Sequence, residues 1–213
     1  MKEYHKIDSI FKRDEKTHEF IIGDYSKPEF EYLKNNVWSF TEKIDGTNIR
    51  VIWQPQEMVP VRFAGKTDDA SIPASLIDTL SKIFTYDNFV GNGFGTSIDD
   101  YICLYGEGCG AKIQKGGGNY KKNGQDFILF DVRVGRWWLK REAVEDIGKK
   151  LGIGVVPIIG EGTLDGAIKM CQEGFKSQWG DFIAEGIVLK PKIHLTDRGG
   201  NRIITKVKYK DFR

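Results

Sequence analysis

Lys43 stands in the run Glu42-Lys43-Ile44-Asp45-Gly46-Thr47-Asn48, and three later segments carry groups that a reactive lysine needs. They are Tyr105-Gly106-Glu107-Gly108, Ala184-Glu185-Gly186-Ile187-Val188-Leu189-Lys190-Pro191 and Ile203-Ile204-Thr205-Lys206-Val207-Lys208. In chain order they give a lysine nucleophile, two lone carboxylates and a closing pair of lysines. That set suits attack on the α-phosphate of a nucleotide, with the nucleotide monophosphate then held on the lysine nitrogen. A free lysine has a pKa of about 10.4, so the chemistry needs nearby cations that favour the neutral amine. Lys206, Lys208 and a bound divalent metal are the candidates. A carboxylate acts in the opposite direction, so Asp45 is assigned to a metal or its waters, or to orienting the amine. Lys206 and Lys208 are two residues apart, which on a strand puts both on one face and within reach of one phosphate cluster.

These groups need strands to hold them. Residues 37–43, 47–53 and 59–64 read as strands, and Asp45-Gly46 between the first two is a hairpin signal. Leu76, Ile77, Leu80, Ile83 and Phe84 recur at helical spacing, with Ser75 and Asp78 placed for a capping box. Residues 101–105 and 126–134 read as buried strands, 140–151 as a helix, and Leu164, Ala167, Ile168, Cys171 and Phe175 as another helical face. Residues 184–190 and 202–208 close the pattern as strands. Strands outnumber helices without strict alternation, which predicts an α+β fold of antiparallel sheets with flanking helices.

The chain has 213 residues, of which 40% are hydrophobic and 29% charged, an ordinary globular composition. Its net charge is +2, but from Lys190 to Arg213 eight basic side chains meet two acidic ones, a net of +6. A basic ribbon on a mildly acidic body points to a localised polyanion site. Cys103, Cys109 and Cys171 form no CxxC pair, and His5, His18 and His194 are scattered, so no zinc site is expected. Odd, unpaired cysteines suit a reducing compartment. No leader-like or membrane-spanning apolar run is present. A cytoplasmic location is expected, in the host cytoplasm if the chain is phage-encoded.

Taken together, the segments resemble motifs I, III, IV and V of the covalent nucleotidyltransferases, the superfamily of DNA ligases, RNA ligases and mRNA capping enzymes. The details resemble the RNA ligase 2 family, which includes the T4 nick-sealing enzyme: Glu-Lys-x-x-Gly-Thr-Asn at 42–48, Gly106-Glu107 followed by Ile113-Gln114-Lys115, Phe130-Asp131, the 184–191 segment, and Gly200-Asn201-Arg202 leading into Lys206-x-Lys208. The similarity spans about residue 36 to the end. It implies an ATP-grasp-like nucleotidyltransferase (adenylation) domain, ATP as substrate, Mg²⁺ or Mn²⁺, and RNA with 5′-phosphate and 3′-OH ends as partner, in a nick or paired ends. By the same resemblance Lys43 accepts AMP, with Lys206 and Lys208 as phosphate lysines. Glu107 binds ribose, and Phe130 stacks on adenine, with a core position as the alternative. Glu42, Asn48, Lys66 and Lys190 join the nucleotide contacts. Glu185 contacts the nucleotide and the metal, Asp45 the metal. Arg62, Lys115 and Arg202 face RNA.

Three departures stand out. The family's arginine after the third strand is replaced by Lys66 in Ala64-Gly65-Lys66-Thr67, a point charge without the guanidinium fork. Gly116-Gly117-Gly118 looks like an insertion. The similarity ends just after motif V, so residues 1–213 are expected to be a single nucleotidyltransferase domain without an OB-fold or helical C-terminal domain.

Rival readings are weaker. Gly65-Lys66-Thr67 is no P-loop, because Pro60 occupies the position of its first glycine. Trp137-Trp138, near Arg136 and Lys140, is read as packing rather than as a base-stacking platform. A capping-type GTP transferase is the alternative enzyme; Asn48 and the 184–191 segment argue against it. A non-catalytic RNA-end-binding module would keep the basic ribbon but has no use for Lys43.

Overall fold

A computed structural model describes residues 3–96 and 101–213. They form two compact units, named here by their place in the sequence. The central unit comprises Asp45–Val156 with Glu3 and Tyr4; the terminal unit comprises His5–Ile44 and Pro157–Arg213.

The terminal unit is built on a five-stranded sheet among the described residues, in the order Asp8–Ser9, Thr205–Lys208, Gly186–Pro191, Trp38–Lys43 and Ile158–Gly162. All neighbours run antiparallel except the first pair. Side chains alternate across a strand, and here the alternation separates core from charge. Trp38, Phe40, Ile187, Leu189 and Val207 enter the core, against Leu164, Ala167, Ile168 and Cys171 of the helix Leu164–Glu173. That helix starts where the Thr163 hydroxyl accepts from the Gly166 N–H at 3.2 Å. On the other face Ser39, Thr41, Lys43, Val188, Lys190, Lys206 and Lys208 are all half-buried.

The central unit holds a second antiparallel sheet, in the order Gly154–Val155, Gln125–Val134, Ile102–Gly110, Thr47–Trp53 and Val61–Ala64, with Trp137–Trp138 added alongside Gln125–Val134. Among the described residues only Gly154–Val155 joins it in parallel. Ile49, Val51, Trp53, Leu104, Phe127 and Leu129 pack with Leu76 and Leu80 of the helix Ala74–Ile83 and with Val144 and Leu151 of the helix Arg141–Leu151. The mixed architecture agrees with the expected α+β class. No helix among the described residues is long and apolar enough to cross a membrane.

Two local expectations are corrected. Asp45-Gly46 does not close a hairpin: Trp38–Lys43 pairs with Gly186–Pro191 and Ile158–Gly162, while Thr47–Trp53 pairs with Val61–Ala64 and Ile102–Gly110. The turn passes the chain from one sheet to another. Gly46 is needed there because a Cβ would run into the Gly108 carbonyl oxygen and Glu107 Cγ. Nor does Ser75 cap its helix. Pro73 takes the N-cap position without a side-chain cap, and the Ser75 hydroxyl instead accepts from Gln125 Nε2 at 2.8 Å.

Gly186 is the tightest point of the terminal sheet. A Cβ there would strike the Val207 carbonyl oxygen and lie 2.7 Å from Lys208 Cα, both backbone atoms that cannot rotate away. Gly186→Ala is expected to cost about 1–3 kcal/mol, as overpacking does, in urea unfolding. Gly91→Ala, which meets nothing within 4 Å, serves as the neutral control. Equal stability of the two variants would contradict this packing.

Candidate active site

The sheet register assembles the terminal unit's charges. Gly186 lies between Lys43 on one neighbouring strand and Lys208 on the other. The next row is Thr41, Val188 and Lys206, and Ser39 sits beside Lys190 in the row after. Strands are spaced about 4.8 Å apart, so two lysines two strands apart face each other over a residue with no side chain. Glu185, immediately before that glycine, fills the gap electrostatically. Its Oε2 accepts from Lys43 Nζ and its Oε1 from Lys208 Nζ, each at 2.6 Å. The side chains are 20%, 22% and 14% exposed for Lys43, Lys208 and Glu185, so this bridge is partly shielded from water.

Backbone contacts hold the bridge in place. The Tyr209 N–H donates to the Glu185 carbonyl at 2.9 Å, and the Lys208 N–H to Asp211 Oδ2 at 3.0 Å. Asp211 also receives the Arg13 guanidinium at 2.8 Å. Lys190 and Arg202 line one crevice with His194. The bridge brings Lys43, Glu185 and Lys208 together, and Lys190 and Lys206 share their face of the sheet.

Glu42 departs from its expected nucleotide contact. Next to Lys43 on a strand, it must point to the opposite face, and it is 1% exposed. Ser177 Oγ donates to its Oε1 at 2.5 Å and the Gln178 N–H to its Oε2 at 2.8 Å. Burial pushes the Glu42 carboxyl above its ordinary value, partly offset by those two donors. Glu42 thus ties the strand of Lys43 to the segment that leads into Glu185. Ser177 and Gln178 carried no sequence signal, but strand alternation, had it been applied to Glu42, would have pointed it inward.

In the central unit, Asn48 and Glu107 are cross-strand partners. Asn48 Oδ1 is buried and, among the described residues, has no hydrogen-bond donor. A buried acceptor left open costs free energy, and a ligand donor would relieve it. Asp45 Oδ2 accepts from the Gly116 N–H at 3.0 Å, so this carboxylate anchors the glycine-rich segment. Phe130 is half-buried, edge-on to Tyr4 with ring centroids 5.0 Å apart, and the Tyr4 hydroxyl donates to Asp131. Arg62, Lys66 and Lys115 are exposed, and Arg62 donates to Gln54 Oε1.

The structure adds Arg50, fully buried, whose Nε donates to the Gly65 carbonyl at 2.8 Å and whose Nη2 meets Asp68 at 2.7 Å. It fixes the segment that carries Lys66. The guanidinium holds the Asp68 carboxyl below its usual value. Among the described residues no group of three or more metal-binding side chains forms a cage.

Comparison with known proteins bears on this arrangement. The sequence profile of the RNA ligase family matches residues 36–208. A search of curated proteins by sequence finds no match. Among solved structures, a Naegleria gruberi RNA ligase with PPi superposes with a TM-score of 0.61 at 22% identity, covering 85% of this chain and 52% of its own. A mutant of that ligase with AMP and Mn gives 0.63 at 20% identity, with coverage of 85% and 52%. A mutant with ATP and Mn gives 0.62 at 21%, covering 86% and 54%. The chain thus spans about half the length of these structures, and at such identity the likeness establishes the fold.

The Glu42 clamp is open to test. Glu42→Ala strands the Ser177 hydroxyl and the Gln178 N–H, and is expected to cost about 1–3 kcal/mol in urea unfolding. Unchanged stability would mean that the clamp holds nothing.

Proposed function

Because this chain belongs to the RNA ligase family, we propose that it is an ATP-dependent RNA ligase of the RNA ligase 2 type, joining 3′-OH and 5′-phosphate ends. The observation that carries this reading is the Glu185 carboxylate shared between Lys43 and Lys208. It holds a potential nucleophile and a phosphate-binding cation on one partly shielded face.

The reaction divides into three displacements. Lys43 Nζ, once it has given up its proton, bonds to the α-phosphorus of ATP as the bond to pyrophosphate breaks. The lysyl-AMP then passes AMP to the 5′-phosphate of an RNA end, freeing the lysine. A 3′-OH attacks that activated phosphorus, forming the phosphodiester bond and releasing AMP. Covalent relay replaces one difficult step by easier ones. Lys208, with Lys206 and Lys190 on the same sheet face, offsets charge that builds on the phosphates. Glu185 orients the Lys43 amine and keeps the two cations in register.

Nucleoside contacts are assigned to Asn48, whose Oδ1 lacks a donor among the described residues, and to Glu107 and Phe130. Glu42 acts from behind as a support. Lys66, Arg62, Lys115 and Arg202 are assigned to phosphates of the nucleotide or the RNA. Mg²⁺ or Mn²⁺, held by phosphates, water and the Glu185 or Asp45 carboxylates, would neutralise phosphate charge and favour departure of pyrophosphate. The ATP, AMP and Mn of the Naegleria structures support the same substrate and ion here. Functionally the two units are taken as one nucleotidyltransferase domain. Three free, buried cysteines accord with a reducing, cytoplasmic setting.

Incubation with α-labelled ATP or GTP and metal, followed by denaturing electrophoresis and mass spectrometry, tests the reading. AMP is expected on Lys43 through an acid-labile, alkali-stable phosphoramidate. Preference for GTP would reassign the chain to capping chemistry, and label on another residue would overturn the site. Lys206→Ala and Lys208→Ala are each expected to slow adduct formation by about 10²–10³-fold, the usual effect of removing one preorganised charge-stabilising group. Wild-type rates in both folded variants would contradict their phosphate role.

A further inference from the structure

The two adjacent tryptophans of the central unit have opposite fates. Trp138 packs its ring against Tyr105 and Tyr4, at 5.1 and 5.7 Å between centroids, with the Arg133 guanidinium 5.9 Å above it. This is the packing expected of the pair. Trp137 is not packed: it is 78% exposed, and no ring or cation partner is found for it among the described residues. A single exposed apolar side chain is ordinary, but this one is presented on fixed backbone. Trp137 pairs with Val134 and Trp138 with Arg133. The Gly135 N–H donates to the Tyr101 carbonyl at 3.0 Å, and the Leu139 N–H to the Val132 carbonyl at 2.9 Å. The indole is therefore held out on a clamped hairpin rather than carried on a loose loop.

The charges around it complete the pattern. Arg133, Arg136, Lys140 and Arg141 lie within the nine residues from 133 to 141, which contain no acid. Arg133 donates to the Tyr101 hydroxyl at 2.5 Å. Arg141 is used by Glu145 and by the Val156 carbonyl, each at 2.7 Å. Arg136 and Lys140 are exposed, and among the described residues neither meets a carboxylate. An exposed π-face flanked in sequence by exposed cations matches unpaired nucleotides, which offer both a base to stack and phosphates to pair.

We propose that Trp137, with Arg136 and Lys140, forms a contact surface for single-stranded RNA, on which a base stacks over the indole while the two cations meet flanking phosphates. This rests on the RNA ligase reading and adds to it a site for the strand outside the Lys43 chemistry. The surface recognises unpaired nucleotides, since a base buried in a duplex has no free face.

The test is fluorescence anisotropy of a labelled, 5′-phosphorylated single-stranded RNA over a salt series, with ATP-dependent labelling of Lys43 measured on the same preparations. Trp137→Ala is expected to bind about 5- to 150-fold more weakly, the range for one base–aromatic stack, whereas Trp137→Phe, which keeps a π-face, retains most of the affinity. Arg136→Ala with Lys140→Ala should lower the slope of log affinity against log salt by about 1.4, for two phosphates of a single strand. Adduct formation at Lys43 should be unchanged in all three variants. Binding within twofold of wild type for Trp137→Ala, or no RNA binding by the wild type at low salt, would overturn the surface while leaving the ligase reading intact. Failure of the wild type to label Lys43 would instead strike at the ligase reading itself.

Discussion

Two lysines set side by side across a sheet repel each other, and the terminal unit resolves that repulsion with one carboxylate. Glu185 meets Lys43 and Lys208 at 2.6 Å each. Each contact depends on register. Sliding a strand by one residue sends its alternate side chains to the other face; in the strand Trp38–Lys43, Lys43 would exchange places with Glu42. The hydrophobic pattern of Trp38, Phe40, Ile187, Leu189 and Val207 sets the register, and the charge bridge is its consequence on the opposite face. Apolar burial thereby fixes the bridge without touching it.

The same logic explains why supports lie behind the bridge. A partly buried ion pair gains only if its geometry is held. Glu42 ties the Lys43 strand to Ser177 and Gln178, and Asp211 joins the Lys208 N–H to Arg13. In the central unit Arg50 plays the corresponding part for the segment bearing Lys66. Each support is a charged group withdrawn from solvent and given several partners, the condition under which such burial is tolerated.

Much of this was legible in the sequence. The strand Thr47–Trp53 is found where its apolar run places it, and the start of Trp38–Lys43 moves by one residue. Lys206 and Lys208 share a face because two-residue spacing requires it. What the sequence hid was pairing at long range. Asp45-Gly46 is a correct turn signal, but turn chemistry is local and says nothing of which strands become partners. The strand Ile102–Gly110 runs through glycines that propensity counts as breakers, because it is paired on both sides. Glu42 and Arg50 did leave a signal: a charge on an inward position, or within an apolar run, has to find partners. Those partners, 135 residues away for Ser177 and 18 for Asp68, are visible only in the fold. The Trp137-Trp138 pair shows the limit from the other side, since identical neighbours were divided between a packed, half-buried ring and an exposed one by the alternation of a two-residue strand.

The central claim is that Lys43 is a relay for AMP and not merely a residue that becomes labelled. A chase of the isolated, labelled protein measures this directly. With metal and pyrophosphate the label should return as ATP; with 5′-phosphorylated RNA it should move onto the RNA end and, once a 3′-OH is supplied, leave as AMP while the strand is sealed. Label that stays on the protein under both chases would contradict the account.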